Sequence, residues 1–200
     1  MNEIYERYIK KPVEEDLKST MVFIGGPRQA GKTTFALNFL PEPGEKHPAY
    51  LNWDDPGARS LLLRGELPAN QKCIVLDEIH KFTRWRNLVK GFYDTNRSEV
   101  SFLITGSARL DYYSKGGDSL QGRYHYYRLH PFSPRELNPN PSKDDIQTLL
   151  KFGGFPEPCL KGEEKFWRRW QRERLQRVIH EDIRDLENIN PTTILSEINS

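Results

Sequence analysis

The 200-residue sequence contains few cysteines, no long apolar run and almost no net charge. Its two cysteines, Cys73 and Cys159, lie far apart and show no metal-ligand spacing, which argues against a disulfide framework or a zinc site. No apolar run is long enough to span a bilayer, and no N-terminal signal segment is apparent. We therefore expect no membrane partner and a cytoplasmic location.

The composition is typical of a globular chain. Its length suits one α/β domain with a small appendage, and its charged fraction of 29% is close to the globular average. The formal net charge of +2 indicates nothing for or against nucleic acid. Basic residues are concentrated from Lys165 to Arg177, so this face is a candidate for binding DNA. Trp167 and Trp170 lie in the same stretch and either stack on bases or form a helical core stripe.

A glycine-rich loop is the most informative motif. Residues 26–33 fit the phosphate-loop pattern G-x-x-x-x-G-K-[ST]. An apolar run, Met21–Ile24, precedes the loop as a predicted strand, and a predicted helix follows over Thr34–Leu40. This order of elements aims backbone N–H groups and a helix N-terminus at a phosphate. The alternative is a plain glycine turn that leads into a helix. The predicted nucleotide-binding residues are Gly26, Pro27, Arg28, Gln29, Ala30, Gly31, Lys32, Thr33 and Thr34.

Four of these residues have specific predicted roles. Gly26 and Gly31 allow positive φ and a close approach of the backbone to phosphate. Lys32 is expected to reach the β- and γ-phosphates, and the hydroxyl of Thr33 is expected to bind Mg²⁺. The loop therefore predicts binding of a nucleoside triphosphate with magnesium.

A second motif adds acidic residues to the predicted site. The apolar run Ile74–Leu76 is followed by Asp77 and Glu78, a Walker B pattern, which in a parallel sheet places both acids at the carboxyl end of a strand. Asp77 is predicted to hold Mg²⁺, and Glu78 to orient and deprotonate the attacking water. An acidic helix N-cap is the alternative. His80 either contacts the nucleotide or packs at a helix start.

Other catalytic candidates lie near the end of the next predicted strand, Val100–Thr105. Thr105 or Ser107 is expected to touch the γ-phosphate or the attacking water, and we prefer Thr105; a turn cap is the alternative. Charge developing on the transferred phosphoryl group favours an arginine. Arg109 and Arg123 are the candidates, acting within the chain or on a second copy, and we prefer Arg123. A surface salt bridge is the alternative for either arginine.

Alternating strand and helix patterns predict a parallel sheet with helices on both faces. We place an α/β domain at residues 1–137 and a small helical lid at residues 138–200. The predicted strands are 21–24, 49–53, 73–76, 100–105 and 124–129. The predicted helices are 2–10, 58–63 with an N-cap at Asp55, 85–95, a short one starting at Pro134 after a capping box, 142–152 and 163–187.

The sequence resembles the prokaryotic AAA+-type ATPases that often carry a C-terminal domain of unknown function. The matching segments, in order, are Gly26–Thr34, Leu76–Lys81, Thr105–Leu110, Leu120–Tyr124 and Leu129–Ser133, and the lid-like segments are Gly153–Glu157 and Glu181–Leu186. The resemblance implies a P-loop NTPase fold of the AAA+/ASCE type with sheet order 5-1-4-3-2, and a helical lid. It also implies ATP as the nucleotide, Glu78 as base, a sensor residue within 105–107 and an arginine at Arg123. The family's C-terminal domain is expected to be absent from this chain.

Three functions are compatible with these motifs. The first is a magnesium-dependent ATPase that couples hydrolysis to movement of the lid or of self-associated subunits. The second is a nucleotide-gated module that recruits an unknown protein client and hydrolyses ATP slowly. The third is a phosphotransferase, which the pairing of Glu78 with Asp77 disfavours.

Overall fold

The computed structural model describes residues 5–106 and 120–177, and a five-stranded parallel sheet forms its core. The strand order is β2-β3-β4-β1-β5, and all four neighbouring pairs are parallel. This is the predicted order 5-1-4-3-2 read from the other edge, so the prediction of an α/β P-loop fold is confirmed. The strands are β1 (Met21–Gly25), β2 (Tyr50–Asn52), β3 (Cys73–Asp77), β4 (Ser101–Thr105) and β5 (Tyr124–Arg128).

Helices connect and flank these strands. The Asp55 carboxylate caps α3 by accepting a 2.7 Å hydrogen bond from the N–H of Gly57, as predicted. The predicted capping box before α5 also forms. The described helices are α1 (Lys10–Asp16), α2 (Lys32–Leu37), α3 (Pro56–Leu63), α4 (Trp85–Asn96), α5 (Pro134–Leu137), α6 (Lys143–Phe152), α7 (Pro156–Lys161) and α8 (Glu164–Arg177), with a 3₁₀ turn at Ile79–Lys81.

The central strands are buried on both faces. Every residue of β1 is buried, and so are the last four residues of β3 and of β4. Because successive strand residues point to opposite faces, continuous burial requires cover on both sides of the sheet, as the apolar runs predicted. Register pairs Ile24 with Thr105 and Asp77 with Thr105, so the carboxyl ends of β1, β3 and β4 lie side by side.

The first helix differs from the prediction. We expected a helix over residues 2–10 that Pro12 ends, but residues 5–7 are not helical and α1 begins at Lys10. Pro12 lies in the first turn of α1, where N–H groups have no helical acceptor and a proline is tolerated. Residues 2–4 lie outside the described residues.

The chain divides into two compact units, Met1–Ile146 and Gln147–Ser200. The predicted domain limits, 1–137 and 138–200, stay a prediction. In the second unit, Phe155 and Trp170 lie 5.2 Å apart between ring centroids, and Trp170 is only 5% exposed. The aromatic stripe therefore packs internally. The described part of α8 ends at Arg177, and the rest of the helix predicted to residue 187 lies outside the described residues.

Candidate nucleotide-binding site

The loop between β1 and α2 has a backbone that depends on glycine. Gly26 has a φ of +133°, and a Cβ at this position would lie 2.3 Å from the carbonyl oxygen of Leu129. Gly31 has a φ of +89° and forms the left-handed N-cap of α2. Gln29 also has a positive φ of +64°. Glycine at position 26 thus lets the loop pack closely against the segment that follows β5, and glycine at position 31 allows the left-handed turn into α2.

The side chain of Lys32 folds back onto this loop. The residue is 8% exposed. Its Nζ donates to the carbonyl oxygens of Gly26, at 3.0 Å, and of Pro27, at 2.9 Å. A buried ammonium group with a flexible stem provides a positive charge beside the loop, which suits an anionic ligand.

Asp77 is the centre of a hydrogen-bonded cluster at the carboxyl edge of the sheet. Its Oδ2 accepts from the hydroxyl of Thr33 at 2.9 Å and from that of Tyr50 at 2.7 Å. Its Oδ1 accepts from the hydroxyl of Thr105. Asp77 is 4% exposed, so three donors from three different elements hold one buried carboxylate. The predicted metal residues Thr33 and Asp77 are therefore brought together.

Tyr50 was not predicted as a site residue. It lies on β2, and its register partner on β3 is Val75, two residues before Asp77. Burial, and then the hydrogen bond to Asp77, raise the pKa of Tyr50 far above its ordinary value. The hydroxyl therefore stays a neutral donor. A tyrosine in a short strand carries no local signal for this contact, which depends on the pairing of two strands.

Glu78 lies directly beyond β3 in a left-handed conformation with φ of +55°. Its N–H donates to the carbonyl oxygen of Thr105 at 3.2 Å. Its Oε2 lies 3.4 Å from Nζ of Lys81 and 3.7 Å from Nε2 of the buried His80. Burial raises the pKa of the Glu78 carboxyl above its ordinary value, and the attraction of Lys81 opposes this only in part. A carboxyl with a raised pKa beside a phosphate loop suits a general base.

Thr105 is fully buried, and its hydroxyl donates a hydrogen bond to the carboxylate of Asp77. The structure thus shows Thr105 orienting the aspartate. A direct contact of Thr105 with phosphate or water stays a prediction. Ser107 and Arg109, the alternative sensor and arginine, lie outside the described residues.

Arg123 lies at the amino-terminal ends of the strands, whereas the phosphate loop lies at their carboxyl ends. Its carbonyl oxygen accepts from the N–H of Met21, the first residue of β1, and its guanidinium pairs with Asp94 at 2.8 Å. The five residues of β5 separate it from the phosphate loop by about 16 Å. This corrects the expectation that Arg123 contacts the nucleotide of its own chain. An action on a second chain stays a prediction.

Comparison with known proteins decides the family. A family model described as an AAA domain matches residues 18–138, which is more than half of the chain. The chain belongs to the AAA domain family. At this general level it is a nucleotide-binding ATPase domain with a P-loop fold.

Several known proteins are similar to this AAA domain. An uncharacterised protein of Methanocaldococcus jannaschii is 25% identical over 201 residues, covering 88% of this chain and 45% of the relative. The chain thus spans about half the length of the curated relative it matches. A solved signal transduction ATPase with numerous domains and a tetratricopeptide repeat sensor, from Pyrococcus horikoshii, is 13% identical with a TM-score of 0.47, over 78% of this chain and 29% of that chain. Pif1 helicase from Bacteroides, solved with ADP-AlF3 and single-stranded DNA, is 12% identical with a TM-score of 0.39, over 76% and 50%.

The donor set of the AAA domain fits magnesium. Thr33 and Asp77 offer a hydroxyl and a carboxylate, the hard oxygen ligands that Mg²⁺ prefers. Within residues 5–106 and 120–177 no group of three or more His, Cys, Asp or Glu side chains could hold a metal ion. Mg²⁺ suits such a sparse set, because it is usually held by one or two protein ligands together with substrate phosphates.

Within residues 5–106 and 120–177, no helix has the length and apolar character needed to cross a membrane.

Proposed function

We propose that this AAA domain binds ATP with Mg²⁺ and hydrolyses it to drive a conformational change. The observation that carries the proposal is the 2.9 Å contact between the hydroxyl of Thr33 and the carboxylate of Asp77. It joins the phosphate loop to the end of β3, where Glu78 follows. A binding loop, two metal ligands and a base candidate thereby occupy one edge of the sheet.

Binding is assigned to the loop from Gly26 to Thr34. Backbone N–H groups at the start of α2 have no helical acceptors and can donate to phosphate oxygens. Lys32 adds a positive charge for the β- and γ-phosphates. Thr33 and Asp77 would hold Mg²⁺, which when bound would offset negative charge on the phosphate oxygens. Tyr50 and Thr105 support this role, since their hydroxyls fix the carboxylate of Asp77.

Glu78 is assigned as the general base that takes a proton from the attacking water. Its raised pKa supports this role, because a base whose pKa lies nearer to the working pH transfers protons more effectively. The ion pair with Lys81 limits the positions open to the carboxylate. The conformational change is assigned to the predicted lid and to self-association, with Arg109 or Arg123 as the arginine that would act on a second copy.

A nucleotide-gated binding module is the second candidate, and the contacts around Glu78 favour it. Lys81 and His80 already lie near the carboxylate of Glu78, and Lys81 also pairs with Asp54. A base engaged in this way would turn ATP over slowly, so that bound ATP itself would control recruitment of a client protein. This reading predicts client affinity that depends on ATP even when Glu78 is replaced by Gln.

Binding of DNA by α8 has weaker support. Two of its exposed arginines are paired within the helix, Arg168 with Glu164 and Arg169 with Glu173. Trp170 is packed inside the second unit and is not displayed for base stacking. DNA therefore stays a prediction from local charge.

Steady-state ATP hydrolysis across a range of protein concentrations tests the proposal. We expect turnover that EDTA abolishes and excess Mg²⁺ restores. Specific activity that rises with protein concentration would indicate an arginine supplied by a second copy. Constant specific activity would indicate a site that is complete in one chain, or an assembly already saturated. Nucleotide binding without ATP turnover at any protein concentration would contradict the hydrolase proposal and favour the nucleotide-gated module.

Tyr50→Phe is expected to raise the Mg²⁺ concentration for half-maximal hydrolysis by roughly tenfold, the lower end of the range for partners that orient metal ligands. The reason is that Asp77 loses one of its three donors while the ring and its packing remain. Tyr93→Phe is a matched control, since the Tyr93 hydroxyl donates to the carbonyl oxygen of Ser19, away from the loop. An unchanged Mg²⁺ requirement in Tyr50→Phe would show that Thr33 and Thr105 suffice to orient Asp77.

A further inference from the structure

Arg7 is buried beside the phosphate loop, and none of the roles assigned above uses it. The residue is 6% exposed and lies three positions before α1. Removing a guanidinium from water is strongly unfavourable unless hydrogen bonds and an opposite charge compensate for it. The partners of Arg7 therefore indicate what this buried charge does.

The guanidinium of Arg7 joins three parts of the chain. Its Nε donates to Oε1 of Glu136 at 2.8 Å, and its Nη1 donates to the carbonyl oxygen of Ala30, in the phosphate loop, at 3.0 Å. Its Nη2 donates to the carbonyl oxygen of His130. The group also lies over the ring of Phe132, with Cζ 4.7 Å from the ring centroid. Arg7 thus connects the phosphate loop to α5 and to the segment after β5.

Glu136 holds Arg7 in one orientation. Its Oε2 accepts from the N–H of Ser133 at 2.8 Å and from the hydroxyl of Ser133 at 2.9 Å, and its Oε1 accepts from the N–H of Tyr8 at 3.2 Å. Burial opposes ionisation of Glu136, but the backbone hydrogen bond from Ser133 and the pairing with Arg7 outweigh it and lower the pKa of this carboxyl. Glu136 is therefore a carboxylate with both oxygens engaged, and it is fixed by the cap of α5.

The contact with Ala30 sets the direction of a neighbouring N–H group. The carbonyl of Ala30 and the N–H of Gly31 belong to one planar trans peptide unit, in which the two bonds point in opposite directions. Because Arg7 holds the carbonyl, the N–H of Gly31 must point away from Arg7. Gly31 is the N-cap of α2 and has a φ of +89°, so no helical hydrogen bond fixes this N–H, and its direction depends on the contact between Arg7 and the carbonyl of Ala30.

We propose that Arg7 is a positioning residue for the nucleotide site. By holding the carbonyl of Ala30, it aims the N–H of Gly31 at a phosphate group of the nucleotide, and Glu136 fixes Arg7 in the orientation that this requires. The ligand is a nucleoside di- or triphosphate, and in this respect the inference rests on the proposed function. The same contact makes the N-terminal segment part of the phosphate-binding structure.

Two measurements on Arg7→Met test the inference with ADP as the probe. Calorimetric titration is expected to show ADP binding weakened by about tenfold, which corresponds to about 1.4 kcal/mol at 25 °C. In the nucleotide-free chain, NMR is expected to show a shifted amide resonance at Gly31. In ATP hydrolysis, KM is expected to rise more than kcat falls. Arg64→Met is the control, since Arg64 forms a surface pair with Glu66.

Two milder variants keep the inference testable if Arg7→Met does not fold. Arg7→Lys retains a cation but cannot reach three acceptors at once, and Glu136→Gln retains the shape of the side chain but removes the charge that orients Arg7. Each is expected to weaken ADP binding and to shift the Gly31 amide in the same direction as Arg7→Met. A lower melting temperature with an unchanged Gly31 amide and unchanged ADP affinity would overturn the inference. Because neither readout needs turnover, a chain that binds ADP without hydrolysing ATP would contradict the proposed hydrolase and still test Arg7.

Discussion

Glu78→Gln is expected to lower kcat for ATP hydrolysis by about 10²- to 10⁴-fold, the usual contribution of a positioned general base. Glutamine preserves the size and most of the hydrogen bonding of the side chain, but it cannot accept a proton from water. The residue lies beyond β3 and beside the loop without being one of the phosphate-binding groups. ADP affinity, measured by titration, is therefore expected to change little.

The pH dependence of the wild type provides a second readout of the same substitution. A base works only when it is deprotonated, so activity should fall as the pH falls through the pKa of Glu78. Burial raises this pKa, which moves the acid limb of the pH profile to a higher pH than an unperturbed glutamate would give. The residual activity of Glu78→Gln should lack this limb.

Glu66→Gln is a suitable control because it removes one carboxylate from an exposed pair with Arg64. It is expected to leave both kcat and the pH profile unchanged. If Glu78→Gln retained more than about a tenth of wild-type kcat, the loss would fall short of general-base catalysis, and Glu78 would have to be reassigned.

The parts of the fold that follow from local pattern could be predicted from the sequence. The central strands are buried on both faces and appear as continuous apolar runs, and the phosphate loop is encoded by neighbouring residues. The meeting of Thr33 with Asp77 also follows, since carboxyl ends of parallel strands share one edge. The helix predicted over residues 2–10 is wrong because Pro12 lies in the first turn of α1, where a proline is tolerated, and does not mark the end of a helix.

Contacts that depend on strand register or on the path of the chain between elements could not be predicted. Arg7 and Glu136 are 129 positions apart, and their pairing depends on where the chain passes after β5. Tyr50 reaches Asp77 only through the register of two strands. The resemblance of Gly122-Arg123 to a catalytic element favours Arg123, but this residue directly precedes β5 and therefore lies at the amino-terminal ends of the strands. For Arg7 and Tyr50 the deciding quantity is chain path or strand register, which has no local signature. The predicted strand 124–129 in a parallel sheet, by contrast, already implies that Arg123 lies at the amino-terminal ends of the strands.

Gly26→Ala is expected to destabilise the fold by about 3 kcal/mol, from backbone strain combined with an overpacked contact. A Cβ at this position would lie 2.3 Å from the carbonyl oxygen of Leu129, and a φ of +133° is unfavourable for alanine. Neither atom can move alone, because the N–H of Leu129 donates to the carbonyl oxygen of Gly25 at 2.9 Å. The strain must therefore spread into the loop, and we expect nucleotide binding to be lost as well.

Thermal unfolding with and without ADP measures both effects. The melting temperature of Gly26→Ala should fall by about 6–12 °C, using about 2–4 °C per kcal/mol for a chain of this size. ADP should no longer raise it, since a ligand stabilises only a state that binds it. Gly91→Ala is the matched control. Among the described residues, no atom beyond its chain neighbours and the backbone of α4 lies within 4 Å of the added Cβ, so higher helix propensity should raise the melting temperature slightly. Suppose instead that Gly26→Ala had the melting temperature and ADP affinity of the wild type. The segment after β5 would then have moved away from the added Cβ with no loss of stability. The close approach of Gly26 to Leu129 would then not constrain the phosphate loop.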